Sequence, residues 1–369
     1  MRGHVRKRGS TWTVMYDEGR DENGKRLQRS RGGFRTKREA ESFLTDQLRR
    51  LGDGSYAQPT KETVGEFLVE WLDAIEGTVR PLSARQYRSR VRSRIIPSLG
   101  SVRLQSLSAA RLNGFYAELE KAGLSVATRR ATHNVLRRAL RDGVRWGKIP
   151  RNPCDLADPP ARSRSRAEAW TASELGRFLD QVHEDRLFAL WRLAATTGMR
   201  RGELAGVTWR CLDLEGARLS VEQQLLAVPG GLAFGPPKSA RSRRTVALDP
   251  ETVNVLRRHR DAQVLERDFA ADAYDDQDFV FADELGGPIQ PQNLTKWFKK
   301  HRKAAGIPTG TLHVLRHSAA TLALTAGVPL HIVAARLGDD PTTTLSTYAH
   351  LLPQSDEVAA ERVAGMIEP

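Results

Sequence analysis

The stretch "RLGDDPTTTLSTYAHLLP", Arg336 to Pro353, carries one tyrosine behind a run of threonines, with Asp339 and Asp340 upstream. "DPTTTLS" reads as the start of a short helix that presents Tyr348, with Asp340 or Thr342 as its cap. A lone tyrosine in such a place is ordinarily amphipathic packing. Whether it closes a helix or carries a nucleophile decides how the whole chain is read, and the answer has to come from the other segments.

The chain has 369 residues, enough for two or three domains, and 40% apolar residues, which suits a globular protein. Lys and Arg number 58 against 44 acidic residues, a formal charge of +14. Such an excess suits a polyanionic partner, nucleic acid first of all, although a solvated surface would also carry it. The charge is uneven: residues 1–50 hold 14 basic and 7 acidic side chains, and six arginines lie between Arg80 and Arg94 with no acid among them. Cys154 and Cys211 form no CxxC or ligand cluster and read as reduced thiols of a cytosolic protein. No apolar run approaches a membrane span, and "MRGHVRKRGSTW" lacks the apolar core of a signal peptide, so a soluble, intracellular protein is expected.

Three segments follow from the patterning, and the expected fold is multidomain, mainly α with small β elements. In the first, Trp12, Val14 and Tyr16 alternate as a half-buried strand requires, and Asn23-Gly24 is a hairpin signal before a basic strand. A helix follows, opened by Thr36 and Glu39 as a capping box, with Ala40, Phe43, Leu44, Leu48 and Leu51 on one face. A basic ribbon of two or three strands backed by one helix has the width of the major groove.

After the breaker-rich "GDGSYAQPTK" (Gly52–Lys61) come four helical patterns. Thr63/Glu66 and Ser83/Gln86 read as capping boxes, Gly123 as a C-cap, and "KIPRNP" as a stop. Tyr87, Val91 and Ile95, and again Val135, Leu136, Leu140 and Val144, form apolar stripes among arginines. Arginine-laced faces without compensating glutamates favour phosphate contacts over internal ion pairs. "ADPPARSRSRAEAW" (Ala157–Trp170), with Arg162, Arg164 and Arg166, reads as a second linker. Beyond it the pattern is mixed: a helix boxed by Thr171 and Glu174, another through "RLFALWRLAATTG", strands in "ARLSVEQQLL" and "RRTVALD", and mostly helix thereafter.

No HExxH, Walker loop, GxSxG or two-metal carboxylate cluster appears. Instead, cationic and polar groups fall at element ends: Arg200 at a helix start in "TTGMRRGELAGVTW", Lys238 at the tip of a strand pair in "FGPPKSARSRRTVAL", and His313 and Arg316 three apart on one helix face in "TLHVLRHSAATLAL". Each alone has a dull explanation: an ion pair for Arg200 with Glu203, a solubilising tip for Lys238, a surface His-x-x-Arg for the others.

Taken with "STYAH", these stretches in their order and spacing across Thr171–Pro353 resemble the tyrosine recombinases, the phage-integrase family. The upstream layout resembles that family's integrase branch. The resemblance implies an arm-type DNA-binding domain over 1–55 (a three-stranded sheet plus helix), a helical, SAM-like core-binding domain over 62–157, and a mixed α+β catalytic domain over 168–369 with a C-terminal tail helix. It implies a site-specific recombinase, the integrase of a phage or mobile element, that cleaves and rejoins DNA through a 3′-phosphotyrosine link. Tyr348 would attack phosphorus, Arg200 and Arg316 would hold the phosphate with permanently charged N–H forks, and His313 would donate to it or handle the phenol proton. Lys238 would protonate the departing 5′ oxygen, and Glu203 would orient Arg200. The phenol, ordinarily near pKa 10, would be helped to ionise by these cations. No metal or ATP enters this scheme.

DNA contacts are expected from Arg6, Lys7 and Arg8 in the first segment and from Arg85, Arg88, Arg92, Arg129, Arg130 and Arg137 in the second. Implied partners are double-stranded attachment sites, a homotetramer on DNA, and DNA-bending and directionality factors, with the work done in the cytoplasm at the nucleoid. The tail, with Val358, Val363 and Ile367, would dock on a neighbouring protomer or pack on its own domain. A chromosome-dimer or transposon resolvase of the same chemistry, and a non-catalytic DNA-binding regulator, are the alternatives.

One position departs from the family. Where "LGDD" stands, the family has Leu-Gly followed by His or Trp, which donates to the phosphate; here that place is Asp339. A carboxylate accepts hydrogen bonds and repels phosphate. Asp339 could turn away to a neighbouring cation, with His350 or His317 compensating; it could be protonated and donate; or activity could be reduced. The first account is favoured by the survival of the other five groups.

Overall fold

The computed structural model describes residues 3–20, 24–52, 56–161, 168–228, 230–237, 240–349, 363–365 and 367. The chain divides into two compact units, residues 1–164 and 165–369.

The first unit opens with an antiparallel sheet in the order β1 (Gly3–Arg8), β2 (Thr11–Arg20), β3 (Arg26–Phe34). Alternation puts Val14 and Tyr16 of β2 against Ala40 of α1 (Lys37–Gly52), while Arg6, Lys7 and Arg8 stay exposed on β1. The Thr36–Glu39 box forms, with Thr36 N donating to the Glu39 carboxylate at 3.3 Å and Glu39 N to Thr36 Oγ1 at 3.2 Å. Asn23 of the expected hairpin turn lies outside the described residues.

A helical bundle follows: α2 (Val64–Ala74), α3 (Pro81–Arg90), α4 (Ile96–Leu99), α5 (Ala109–Lys121) and α6 (Val126–Arg145). Thr63 and Glu66 cap α2 reciprocally. The expected Ser83/Gln86 box does not exist. Proline at the first helical position, its φ preset for a helix, starts α3 two residues earlier, and Ser83 N donates to Arg80 O at 2.8 Å inside the first turn. A π-type turn, Val91–Ile95, joins α3 to α4, so the arginine-rich stretch is one continuous helical rod. Phe67, Leu68, Trp71, Val91, Ile95 and Leu136 are among its buried core. Trp71 Nε1 is satisfied inside that core by the Asp142 carboxylate at 2.9 Å.

The second unit contains α7 (Ala172–Gln181), α8 (Phe188–Thr197), α9 (Arg201–Ala205), β4 (Leu212–Asp213), β5 (Arg218–Val221), β6 (Gln224–Val228), β7 (Gly231–Gly235), β8 (Arg244–Ala247), α10 (Pro250–Ala270), α11 (Pro291–Ala304), α12 (His313–Thr325), α13 (Leu330–Leu337) and α14 (Pro341–Tyr348). The Thr171–Glu174 box caps α7. Trp170 stacks on Phe298 at 5.5 Å, and Phe178 meets Trp191 edge-on at 6.0 Å, in the middle of the core. Lys238 was expected at the tip of a strand pair, but the strands that flank it do not pair with each other. β7 pairs with β6, and β8 with β5, so the connection runs from a hairpin to a separate three-stranded sheet, β4-β5-β8. Lys238 itself, Arg162, Arg164, Arg166, His350 and Val358 lie outside the described residues; Val363 and Ile367 fall in exposed helical positions. Among the described residues no helix is long and apolar enough to cross a membrane.

Candidate active site

The site is built from the turn after α8, from α12, and from the turn between α13 and α14. α8 ends on Gly198, whose φ of 66° lets the chain turn so that Arg200 becomes the N-cap of α9. A Cβ on Gly198 would also lie 2.6 Å from Leu337 Cδ2, so the leucine would have to shift to admit one. From this turn Arg200 Nη1 donates to Glu203 Oε1 at 2.7 Å and to Ser242 Oγ at 3.2 Å, and Nη2 to Gly338 O at 3.1 Å. Glu203 is buried and also takes Arg244 Nη2 at 3.0 Å. Burial alone would push its carboxyl up, but Arg244 and Arg200 hold it below the ordinary value.

Arg316, on α12, is 3% exposed and donates through Nη1 to Gly198 O at 2.7 Å. Its Nη2 meets Asp339 Oδ2 at 2.5 Å, while the other oxygen, Oδ1, takes Arg200 Nη2 at 2.5 Å. Asp339 therefore does bind cations, but it does not turn away. Its partners are the two candidate phosphate-binding arginines, and one carboxylate bridges both.

Tyr348 ends α14, which starts at the Asp340 cap; Asp340 Oδ1 accepts from Thr342 N at 2.9 Å. Arg241 pairs with the other Asp340 oxygen. The phenol is buried, and its Oη lies 2.5 Å from His317 Nδ1. His313 and His317, one turn apart, meet edge-to-face at 4.7 Å between ring centroids. Burial, then the neighbouring His317, Arg316 and Arg200, pull His313 down to about 4, and burial with Arg316 lowers His317 too. Both imidazoles are thus neutral near pH 7, and His317 Nδ1 can accept the phenol proton.

The cations were expected to help Tyr348 ionise. In this arrangement its phenol is instead pushed up to about 12: burial dominates, Arg316 pulls the other way, and Asp339 opposes Arg316.

Arg200, Glu203, His313, Arg316, Asp339 and Tyr348 thus converge in one unit. Sequence reasoning named His317 only as a stand-in for the missing donor and passed over its contact with Tyr348. Its place four residues after His313 was the available signal. Ser242, Arg244 and Arg241 lie in "FGPPKSARSRRTVAL", where the sequence singled out Lys238 alone.

The DNA-contact candidates divide. Arg85 and Arg92 are exposed and make no side-chain hydrogen bond or ion pair among the described residues. By contrast, Arg88 pairs with Glu76 at 3.1 Å, Arg129 with Glu120 at 2.6 Å and Arg137 with Asp155 at 2.7 Å, while Arg130 donates to Pro160 O at 2.9 Å. For Arg88, Arg129 and Arg137 the expectation of no acidic partner fails because other elements supply the carboxylates, which a helix read by itself does not reveal.

Comparison with known proteins agrees with this geometry. Residues 169–355 match the phage integrase family, residues 4–49 an arm DNA-binding domain, and residues 63–119 the N-terminal SAM-like domain of phage integrases. An integrase of Streptomyces ambofaciens is 30% identical over 356 residues, spanning 92% of this chain and 89% of that protein. A XerC-like tyrosine recombinase of Caldanaerobacter subterraneus is 28% identical over 379 residues, 97% of each. The fold is similar to that of the Tn1549 transposon integrase in complex with a circular intermediate DNA, with TM-score 0.72 at 22% identity over 82% of this chain and 99% of that one. It is also similar to lambda integrase, solved as a tetramer bound to a Holliday junction, with TM-score 0.58 at 17% identity over 93% and 94%. With half its length in the family's defining domain and a relative at 30% identity along nearly the whole chain, the protein belongs to the phage integrase family and is a tyrosine-type site-specific recombinase that breaks and rejoins DNA.

Proposed function

We propose that the protein is the integrase of a phage or other mobile element and that Tyr348 is its nucleophile, acting in the protomer that carries it. The observation that supports this most directly is the convergence of two guanidiniums, Arg200 and Arg316, on one small anion beside a buried tyrosine already hydrogen-bonded to an imidazole. A phosphodiester would take the same two N–H forks, and the charge that gathers on its non-bridging oxygens in the transition state would be held there.

In the reaction, the phenol oxygen forms a bond to phosphorus as the bond to the 5′ oxygen breaks. The phenol proton passes to His317 or His313, and the leaving oxygen takes a proton, for which Lys238 is the candidate donor. The phosphodiester energy stays in the 3′-phosphotyrosine link, and a 5′ hydroxyl from the partner strand reverses the step. Exchange of two duplexes needs four such sites, so a homotetramer on paired attachment sites is the working assembly. The sheet domain of residues 4–49 would engage arm-type sites, with DNA-bending and directionality factors as further partners.

A nicked suicide substrate containing the attachment core tests the reading. Wild-type protein should be trapped covalently on the 3′ end, and Tyr348→Phe should form no adduct while still binding the DNA. An adduct that persists in Tyr348→Phe would refute it.

A further inference from the structure

Asp339 lies between the two candidate phosphate-binding arginines, and it is held more firmly than an exposed acid would be. Both its oxygens are used, each at 2.5 Å from a guanidinium nitrogen, one on Arg200 and one on Arg316. The turn that bears it is fixed independently of this carboxylate. Asp339 N donates to Ala334 O at 3.0 Å, Arg244 Nε to Arg336 O at 2.7 Å, and Gly338 O receives Arg200 Nη2 at 3.1 Å. Gly338 turns at a φ of 66°, and a Cβ there would crowd the Ser242 backbone at 3.0 Å. The arginines are fixed independently too, by Glu203, Ser242 and the Gly198 carbonyl. The Asp339 side chain can leave by rotation about its own bonds without moving that turn or the arginines.

We propose that the Asp339 carboxylate is a built-in substitute for the scissile phosphate: in the DNA-free enzyme it occupies the arginine pair, and substrate enters by exchanging one anion for the other. This deepens the recombinase reading given above and rests on it. Two consequences follow. The arginine pair stays assembled and charge-compensated without DNA, avoiding the repulsion of two unpaired, partly buried guanidiniums. Small free anions are also refused, because they must displace an intramolecular carboxylate. Attachment DNA can do so, since its many other contacts supply the binding energy.

The test compares wild type with Asp339→Asn, which keeps the shape and removes the charge, and with Asp339→Ser, which removes most of the side chain. Inorganic phosphate and orthovanadate are titrated against the full-length proteins by calorimetry, and adduct formation on the suicide substrate is timed at saturating DNA. If the carboxylate holds the site closed nine-tenths of the time, its removal raises apparent anion affinity by about tenfold. The expected result is a gain in anion affinity of at least that size in either variant. Equal or weaker anion binding in whichever variant retains its melting transition, or loss of both binding and cleavage in both variants, overturns the proposal and makes Asp339 a required structural anion. The anion titration does not involve Tyr348, so its failure is separable from a failure of the recombinase reading, which the Tyr348→Phe trap alone decides.

Discussion

His317 Nδ1 lies 2.5 Å from Tyr348 Oη, a contact between neighbours of different helices, 31 positions apart in the chain. The residue immediately after Arg316 thus anchors the phenol proposed as the nucleophile.

Replacing His317 by Ala should slow adduct formation roughly 10²–10⁴-fold, the range for a positioned proton acceptor, with DNA affinity unchanged. Single-turnover cleavage of the suicide substrate measures it. A rate within about twofold of wild type would leave the contact as packing only.

The pH dependence has a definite sign. The His317 pKa is lowered from 6.5 by burial and Arg316, so its accepting, neutral form prevails at pH 7 and is lost as pH falls through the lowered value. Cleavage should therefore be flat across neutral pH and decline below it. If His317 takes the proton as Tyr348 attacks, cleavage does not depend on prior ionisation of a phenol near 12, whose phenolate fraction would otherwise climb about tenfold per pH unit between pH 7 and 9. A log-linear climb through that interval would contradict the assignment.

Glu203→Gln leaves two arginines facing a neutral amide in a site that is 2% exposed. Breaking a buried charge pair in this way costs about 3–5 kcal/mol, and thermal melting of the second unit should show a clear loss. Because the Glu203 pKa is depressed, its contribution is complete above the unfolded value of 4.5 and disappears as pH drops through the folded one. The wild-type–mutant difference in Tm should accordingly shrink in acid.

Asp340→Ala removes both the cap of α14 and the partner of Arg241. Loss of a cap costs about 0.5–2 kcal/mol, concentrated on the helix that carries Tyr348. Cleavage should fall while initial DNA binding, measured by gel shift with Tyr348→Phe in the background, stays the same. Equal loss of both would mean that the helix start is also part of the DNA surface.

Arg85→Ala and Arg92→Ala should each weaken binding to all DNA sequences and lower the salt slope by about one, since those side chains are unpaired among the described residues. Arg129→Ala, whose guanidinium is engaged by Glu120 at 2.6 Å, should change the slope less. Fluorescence anisotropy at several salt concentrations separates them, and equal slopes for the three would show that the Glu120 pair opens on DNA.

Much of this protein is local, and local features are legible in a sequence. Thr63/Glu66 and Thr171/Glu174 close their boxes because a capping box involves four consecutive residues and nothing else. The alternation of Val14 and Tyr16, the stripe of Val135, Leu136 and Leu140, and the left-handed Gly123 after α5 are short-range periodicities or backbone preferences of the same kind. Order and spacing of the four stretches around Arg200, Lys238, His313–Arg316 and Tyr348 were enough to suggest the family, though not how its groups interact.

What tertiary structure alone decided is where each side chain spends its charge. Asp339 reached two arginines 139 and 23 positions away. Arg137 and Arg129 found carboxylates on other elements, and His317 found Tyr348 across a helix boundary. Burial then raised a phenol that bare cations would have lowered. Electrostatic pairing falls off over a few ångströms of space and is indifferent to distance along the chain, so no spacing rule carries it. In "RLGDDPTTTLSTYAHLLP" the sequence by itself determined a capped helix with a tyrosine at its end; the fold made one of its two aspartates that cap and set the other between Arg200 and Arg316.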